Sequence, residues 1–157
     1  MPPFQTSEAI RPAKGFPGQM ADTAEWNANS GFIQGTTLRP GSPVQVGTGE
    51  RTFAALTSGV FAGILRHHIT AAPNGIFDEG QMVAAVDMGH IFVRPGGACT
   101  LGSPVYWNAT LNSGQGGYTS TAAGGTRILG AEFGASAAAT DPVVMVKLVK
   151  LPGGIPA

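Results

Sequence analysis

Charge is scarce in this chain. Asp, Glu, Lys and Arg make up 11% of its 157 residues, against about a quarter in an ordinary soluble domain. Nine basic side chains balance nine acidic ones, so there is no basic surplus of the kind that nucleic-acid binding requires. A surface with few charges and no net charge favours association. The composition therefore points to a protein covered by partners or by copies of itself. Cysteine is nearly absent: Cys99 stands alone, which excludes an internal disulfide framework. No apolar run approaches the length of a membrane-spanning helix. The first residues, Met1-Pro-Pro-Phe-Gln-Thr-Ser-Glu, have neither the basic nor the apolar region of a signal peptide. The expectation is a protein made in a reducing cytoplasm, with no membrane partner.

Glycine and proline are abundant, at 24 and 12 residues. A helical bundle would not tolerate them, whereas short strands joined by tight turns use them. The tetrapeptide Gly-Ser-Pro-Val occurs at Gly41–Val44 and again, 61 residues later, at Gly102–Val105. Each copy follows an apolar run carrying Arg-Pro (Arg39-Pro40 and Arg94-Pro95), and each precedes an alternating segment, a Gly/Thr-rich loop and a glycine-containing apolar strand. This order predicts a β-module used twice and makes Arg39 and Arg94 equivalent positions.

Strand patterns dominate from Gly31 onward. Strands are predicted at 32–38 with a bulge at Gly35, at 44–46, at 59–65 covered on both faces, at 105–108 and at 128–133. Residues 81–87 and 90–94 read as a hairpin about Met88-Gly89. The segment 142–150 is the clearest strand. Val144, Val146 and Leu148 share one face, and Lys147 and Lys150 lie on opposite faces, which suits an edge. Residues 109–125 read as a polar loop in which Tyr118 pairs briefly. The fold is then all-β, a sandwich or small barrel of short antiparallel strands. Three stretches follow: an extended Pro/Gly-rich N-terminal arm (1–31), a single β-domain with internal duplication (32–151) and a C-terminal tail (152–157). Phe4, Ile10, Phe16, Met20 and Trp26 are too many large apolar groups for a solvated tail. The arm packs either on its own domain or on a neighbour.

No catalytic constellation emerges. His67-His68 with His90, and oxygen from Asp78 or Asp87, is the sharpest metal candidate, but adjacent strand residues point to opposite faces and cannot easily grip one ion. Surface histidines are the plainer reading, and no metal or cofactor is expected. Cys99 lacks a nucleophile signature and reads as a buried core thiol. Of Tyr106 and Trp107, one faces the core and one an interface; a carbohydrate platform at Trp107 is the alternative. Arg39 and Arg94 pair with nearby acids or contact a neighbouring subunit.

The arm Gly15-Phe-Pro-Gly-Gln-Met-Ala-Asp22, the repeated Gly-Ser-Pro-Val with Val105-Tyr106 in its second copy, and the ending Ala131-Glu-Phe133 with Val143–Leu148 together resemble the structural cement or decoration proteins of tailed-phage capsids. The resemblance spans most of residues 13–150. It implies a jelly-roll-like β fold and a non-enzymatic virion protein that binds the outside of an expanded capsid as a homodimer or homotrimer. The partner it implies is the major capsid protein. Phe4, Ile10, Phe16, Met20 and Trp26 are then the expected contact residues, joined by Arg39, Arg94 and Trp107. The competing class is a carbohydrate-binding β-domain of a fibre or surface protein.

Overall fold

Among the described residues, nine strands form one continuous hydrogen-bonded sheet whose first five close on themselves. The computed structural model describes residues 15–22, 25–69, 71 and 75–149; Phe4 and Ile10 lie outside the described residues. The strands are β1 (Asn27–Ile33), β2 (Pro43–Val46), β3 (Thr52–Ala55), β4 (Phe61–Leu65), β5 (Met82–Val93), β6 (Pro104–Asn108), β7 (Gly117–Thr119), β8 (Thr126–Phe133) and β9 (Val144–Leu148). Their spatial order is β1-β3-β2-β4-β5-β9-β8-β6-β7, and a further β1–β5 pairing closes the first five into a small barrel. The all-β expectation holds, with a small barrel at its centre. Asn27–Ser30, assigned to the arm by sequence, belong to β1.

The two halves carry the same hydrogen-bond pattern. Leu38 and Phe77 exchange both backbone bonds (3.0 and 2.7 Å), as do Cys99 and Ala137 (2.9 and 3.0 Å). Gly41 N donates to Leu65 O (2.8 Å) where Gly102 N donates to Phe133 O (2.7 Å). Ser42 N closes a turn on Arg39 O, and Ser103 N closes one on Thr100 O. In both turns the third residue is a left-handed glycine, Gly41 (φ 82°) and Gly102 (φ 75°), the position that β-branched or bulky residues cannot fill without strain. Gln34 N bonds Phe53 O as Gly96 N bonds Tyr118 O.

These matches correct one reading. Arg39 corresponds to Thr100, and Arg94, immediately before the Pro95–Tyr118 bridge, corresponds to Phe32 before the Ile33–Phe53 pair. The two Arg-Pro dipeptides therefore sit at different places in the pattern.

Three local expectations also change. Residues 82–93 make one twelve-residue strand and no hairpin. Met82 to Met88 pairs with β1, and Gly89 to Val93 pairs with β9. Gly89 (φ 118°) is the crossing point, where an added Cβ would lie 2.7 Å from that of Trp26. β9 is interior, paired with both β5 and β8. Its exposed Lys147 reaches across to Glu132 at 3.2 Å, so a lysine there marks a solvated face and not an edge. The strand predicted at 32–38 lies earlier, at Asn27–Ile33, because Gln34 turns away to cap the 48–52 loop through Thr48 and Thr52.

Two apolar clusters fill the interior. Ile33, Val44, Phe53, Leu65, Phe77, Val83 and Ala85 form one within the first half. The larger joins Leu56, Ile64 and Val86 of the first half to Ile91, Val105, Tyr118, Ile128, Phe133 and Val146. Burying each such side chain stabilises the fold by about 1.5–3 kcal/mol, so the halves share much of their core.

A candidate binding pocket between the two halves

The arm docks on its own sheet over its described residues. Gly18 N donates to Phe92 O and Ala21 N to His90 O (2.8 Å each), while Gln19 O accepts from Phe92 N (2.9 Å) and Gly18 O from His67 N (2.8 Å). The Asp22 carboxylate meets His90 Nδ1. Met20 bridges Ile91 and packs against the large core cluster. Of the two placements open from sequence, residues 15–22 take the self-docked one.

This docking sets two Pro-Gly turns face to face. Phe16-Pro17-Gly18-Gln19 closes with Gln19 N on Phe16 O (3.1 Å), and Gly18 is left-handed (φ 83°). Opposite it lies Arg39-Pro40-Gly41-Ser42. An added Cβ on Gly18 would meet Pro40 Cβ at 2.9 Å, and one on Gly41 would meet Pro17 Cβ at 2.9 Å. Only glycine permits this approach.

Beside the paired turns lies an open pocket of about 280 Å³. The arm and first half line it with Phe16, Pro17, Arg39, Pro40, Ser42 and His67, the second half with Arg94, Trp107, Gln115 and Tyr118. Tyr118 is fully buried, and its hydroxyl donates to Gly41 O at 2.7 Å, joining the halves beneath the pocket. Burial holds its phenol well above its ordinary pKa, so it remains a donor. Trp107 packs on Tyr118 with ring centroids 5.0 Å apart and planes tilted by 60°, within the preferred range for aromatic pairs.

The loop after β6 is shaped to support this wall. Asn112 (φ 53°) and Ser113 (φ 60°) are consecutive left-handed non-glycine residues, a conformation costing about 1–2 kcal/mol each. Asn112 Nδ2 offsets this by donating to Pro95 O (3.1 Å) and Gly116 O (2.8 Å). The result places Gln115 Oε1 against Arg94 Nη1 at 2.6 Å. It also slides Gly116 under the indole, where an added Cβ would sit 2.2 Å from the Trp107 ring.

Of the sequence-derived contact residues, Phe16, Arg39, Arg94 and Trp107 converge on this pocket. Trp26 stands apart, half exposed, with the Arg66 guanidinium 4.9 Å over its ring. Sequence reasoning missed Tyr118 as a keystone and read Gln115 and Gly116 only as part of a loop. The signal for Tyr118 was its alignment with Phe53 in the matched half.

The proposed metal set disperses. His67 stacks edge-on to Phe16 at 4.6 Å, and His90 is engaged by Asp22. No three His, Cys, Asp or Glu side chains gather to hold an ion among the described residues. Cys99 is buried, its thiol donating to Gly97 O and Tyr118 O (3.5 Å each). Burial, with a smaller contribution from Asp141, pushes its pKa up to about 11, which leaves it a poor nucleophile.

The architecture is thus that of a small all-β protein with a pocket between its two halves. Residues 4–149 match the structural cement protein family, described by E217 gp24 and Pam3 gp6. The chain belongs to that family: it is a structural protein of a bacteriophage virion. Among solved structures, a chain of the capsid of Myoviridae phage XM1 is similar, with a TM-score of 0.71 at 18% identity over 94% of this chain and 98% of that one. The head fibre gp8.5 N base of bacteriophage phi29 aligns more loosely, with a TM-score of 0.42 at 10% identity over 80% of this chain and 96% of that one. No curated protein matches.

Proposed function

We propose that the protein binds the outer surface of the expanded capsid and cements neighbouring major capsid protein subunits, acting as a homodimer or homotrimer without enzymatic activity. The match to the structural cement family over residues 4–149 carries this reading. The binding unit is one β-domain, which the sequence begins at 32 and β1 extends back to Asn27, running to 151, its halves one module used twice, with the preceding residues as arm and 152–157 as tail. It is made in the host cytoplasm and resides on the capsid exterior.

The physics is that of linkage. A protein that binds only the expanded shell stabilises that state by mass action, and many modest contacts repeated over a symmetric shell gain through avidity. A shared core and a self-docked arm make a rigid bridge, so little ordering entropy is lost on binding. The low charge and exposed apolar side chains, among them Phe16, Trp26 and the cross-strand pair Phe32 and Met82, suit burial against protein. Phe4, Ile10, Phe16, Trp26, Arg39, Arg94 and Trp107 are the proposed contacts. Met20 serves mainly as the arm's internal anchor.

The test is co-sedimentation of the purified protein with expanded and unexpanded shells. Saturable binding to the expanded form alone is expected. Full shell occupancy after deletion of residues 1–26 would remove the arm from the contact, and absence of binding to either shell would overturn the cement reading.

A further inference from the structure

We infer that the pocket between the halves is a docking site for an acidic side chain flanked by an apolar one, presented by an extended segment of a partner protein. For the partner's identity this rests on the cement reading; the chemistry of the site stands on its own geometry.

The first observation is charge. In a chain of zero net charge, two guanidinium groups, Arg39 and Arg94, line one pocket and no carboxylate does. Five of the nine acids are engaged elsewhere: Asp22 with His90, Asp87 with Asn27 and Asn29, Glu79 with Gly35 N, Glu132 with Lys147, and Asp141 with Ala138 N. Arg94 is oriented by a neutral amide, Gln115, which fixes the guanidinium without neutralising it. Arg39 is half-buried while Arg94 is exposed, and both stand beside apolar side chains, where a charge-assisted contact to an anion is stronger than one between neutral groups.

The second observation is shape. Phe16, Pro17, Pro40, Trp107 and Tyr118 give the pocket its apolar lining, beside the polar Ser42, His67 and Gln115. A bare phosphate would leave this apolar lining uncovered. A carboxylate on a short stem, with a neighbouring apolar side chain against Trp107 and Pro40, satisfies both parts. The third is construction: the left-handed pair Asn112 and Ser113 places Gln115 and Gly116, and backbone strain of this kind persists where the surroundings over-determine it.

The test uses the full chain carrying Trp26→Phe, which leaves Trp107 as the sole tryptophan. It is titrated with acetyl-Ala-Glu-Phe-Ala-amide and with its Gln analogue, reading indole emission. The Glu peptide is expected to give a saturable shift at least roughly tenfold tighter than the Gln peptide, and salt raised from about 50 to 300 mM should weaken only the former. Arg39→Gln and Arg94→Gln should each abolish the preference, and Arg39→Lys should restore part of it if the first variant folds poorly. No response to either peptide, or an equal response to both, overturns the proposal. So does inorganic phosphate acting as well as the Glu peptide. The Gln variants are then sedimented with expanded shells. Wild-type binding that the variants retain in full removes the pocket from the shell contact and leaves the cement reading standing. A wild type that takes the Glu peptide but no shell overturns the cement reading alone.

Discussion

The hydroxyl of Tyr118 and the carbonyl of Gly41, 77 residues apart in sequence, share a fully buried hydrogen bond of 2.7 Å. It ties a strand of the second half to a turn of the first, under the pocket that both halves build. Tyr118→Phe leaves the Gly41 carbonyl without its phenol donor. The expected loss is about 1–3 kcal/mol, read as a lower urea midpoint with unchanged m-value. A loss below about 0.5 kcal/mol would show that this bond does not hold the halves together.

Two buried acids predict alkaline instability. Burial raises the Cys99 thiol from 9.0 to about 11 and pushes the Tyr118 phenol above its usual value of 10.0. A raised folded-state pKa means that the native form keeps its proton while the unfolded chain loses it. The stabilisation is therefore complete below the unfolded value and declines as pH rises through the folded one. For Cys99 the decline begins near pH 9 and ends near pH 11; that of Tyr118 begins above pH 10. Cys99→Ala should flatten the fall in denaturation midpoint between pH 9 and 10, and an unaltered slope would exclude the thiol as its source.

Gly116 is the floor beneath Trp107. Gly116→Ala adds a Cβ within 2.2 Å of the indole at a φ of +80°, so ring and loop must both shift. The expected cost is above about 2 kcal/mol, with a red-shifted Trp107 emission as the indole is forced into water. Gly35→Ala, also left-handed (φ 76°) but with nothing within 4 Å of an added Cβ, isolates the backbone contribution and should cost about 1–2 kcal/mol without moving the emission.

Hydrogen exchange distinguishes an interior β9 from an edge strand. Because β9 is bonded to β5 and β8, amides of residues 144–148 should rank among the slowest in the protein. Exchange as fast as that of the exposed 47–51 loop would contradict the pairing.

Much of the fold is legible in the sequence because it rests on local chemistry. Gly-Ser-Pro-Val marks the turn-to-strand transition in both halves, and Val144, Val146 and Leu148 alternate inward as period two requires. What misleads is long-range. Met88-Gly89 has the residues of a turn, but Gly89 is needed for close passage of Trp26, a neighbour 63 residues earlier in the sequence. Tyr118 looks like an isolated aromatic in a polar loop until its parallel bridge to Pro95 gives it the position that Phe53 holds in the other half. The pocket is half-visible. Arg39, Arg94, Trp107 and Phe16 stand out as residue types, but only the docking of the Pro17-Gly18 turn against Pro40-Gly41 brings them together.

The continuity of β5 has a consequence for the order in which the protein is made. The first barrel is complete once Val93 has left the ribosome, because β1 to β5 all precede that point. From then until Val144 emerges, the stretch Gly89 to Val93 is a raw strand flank awaiting β9. A nascent chain at that stage presents an unpaired strand edge beside a core that still lacks its second-half side chains, an arrangement prone to capture by another copy. The final strand thus acts as a closure, and translation that stalls before it would yield aggregates seeded by the exposed flank of β5.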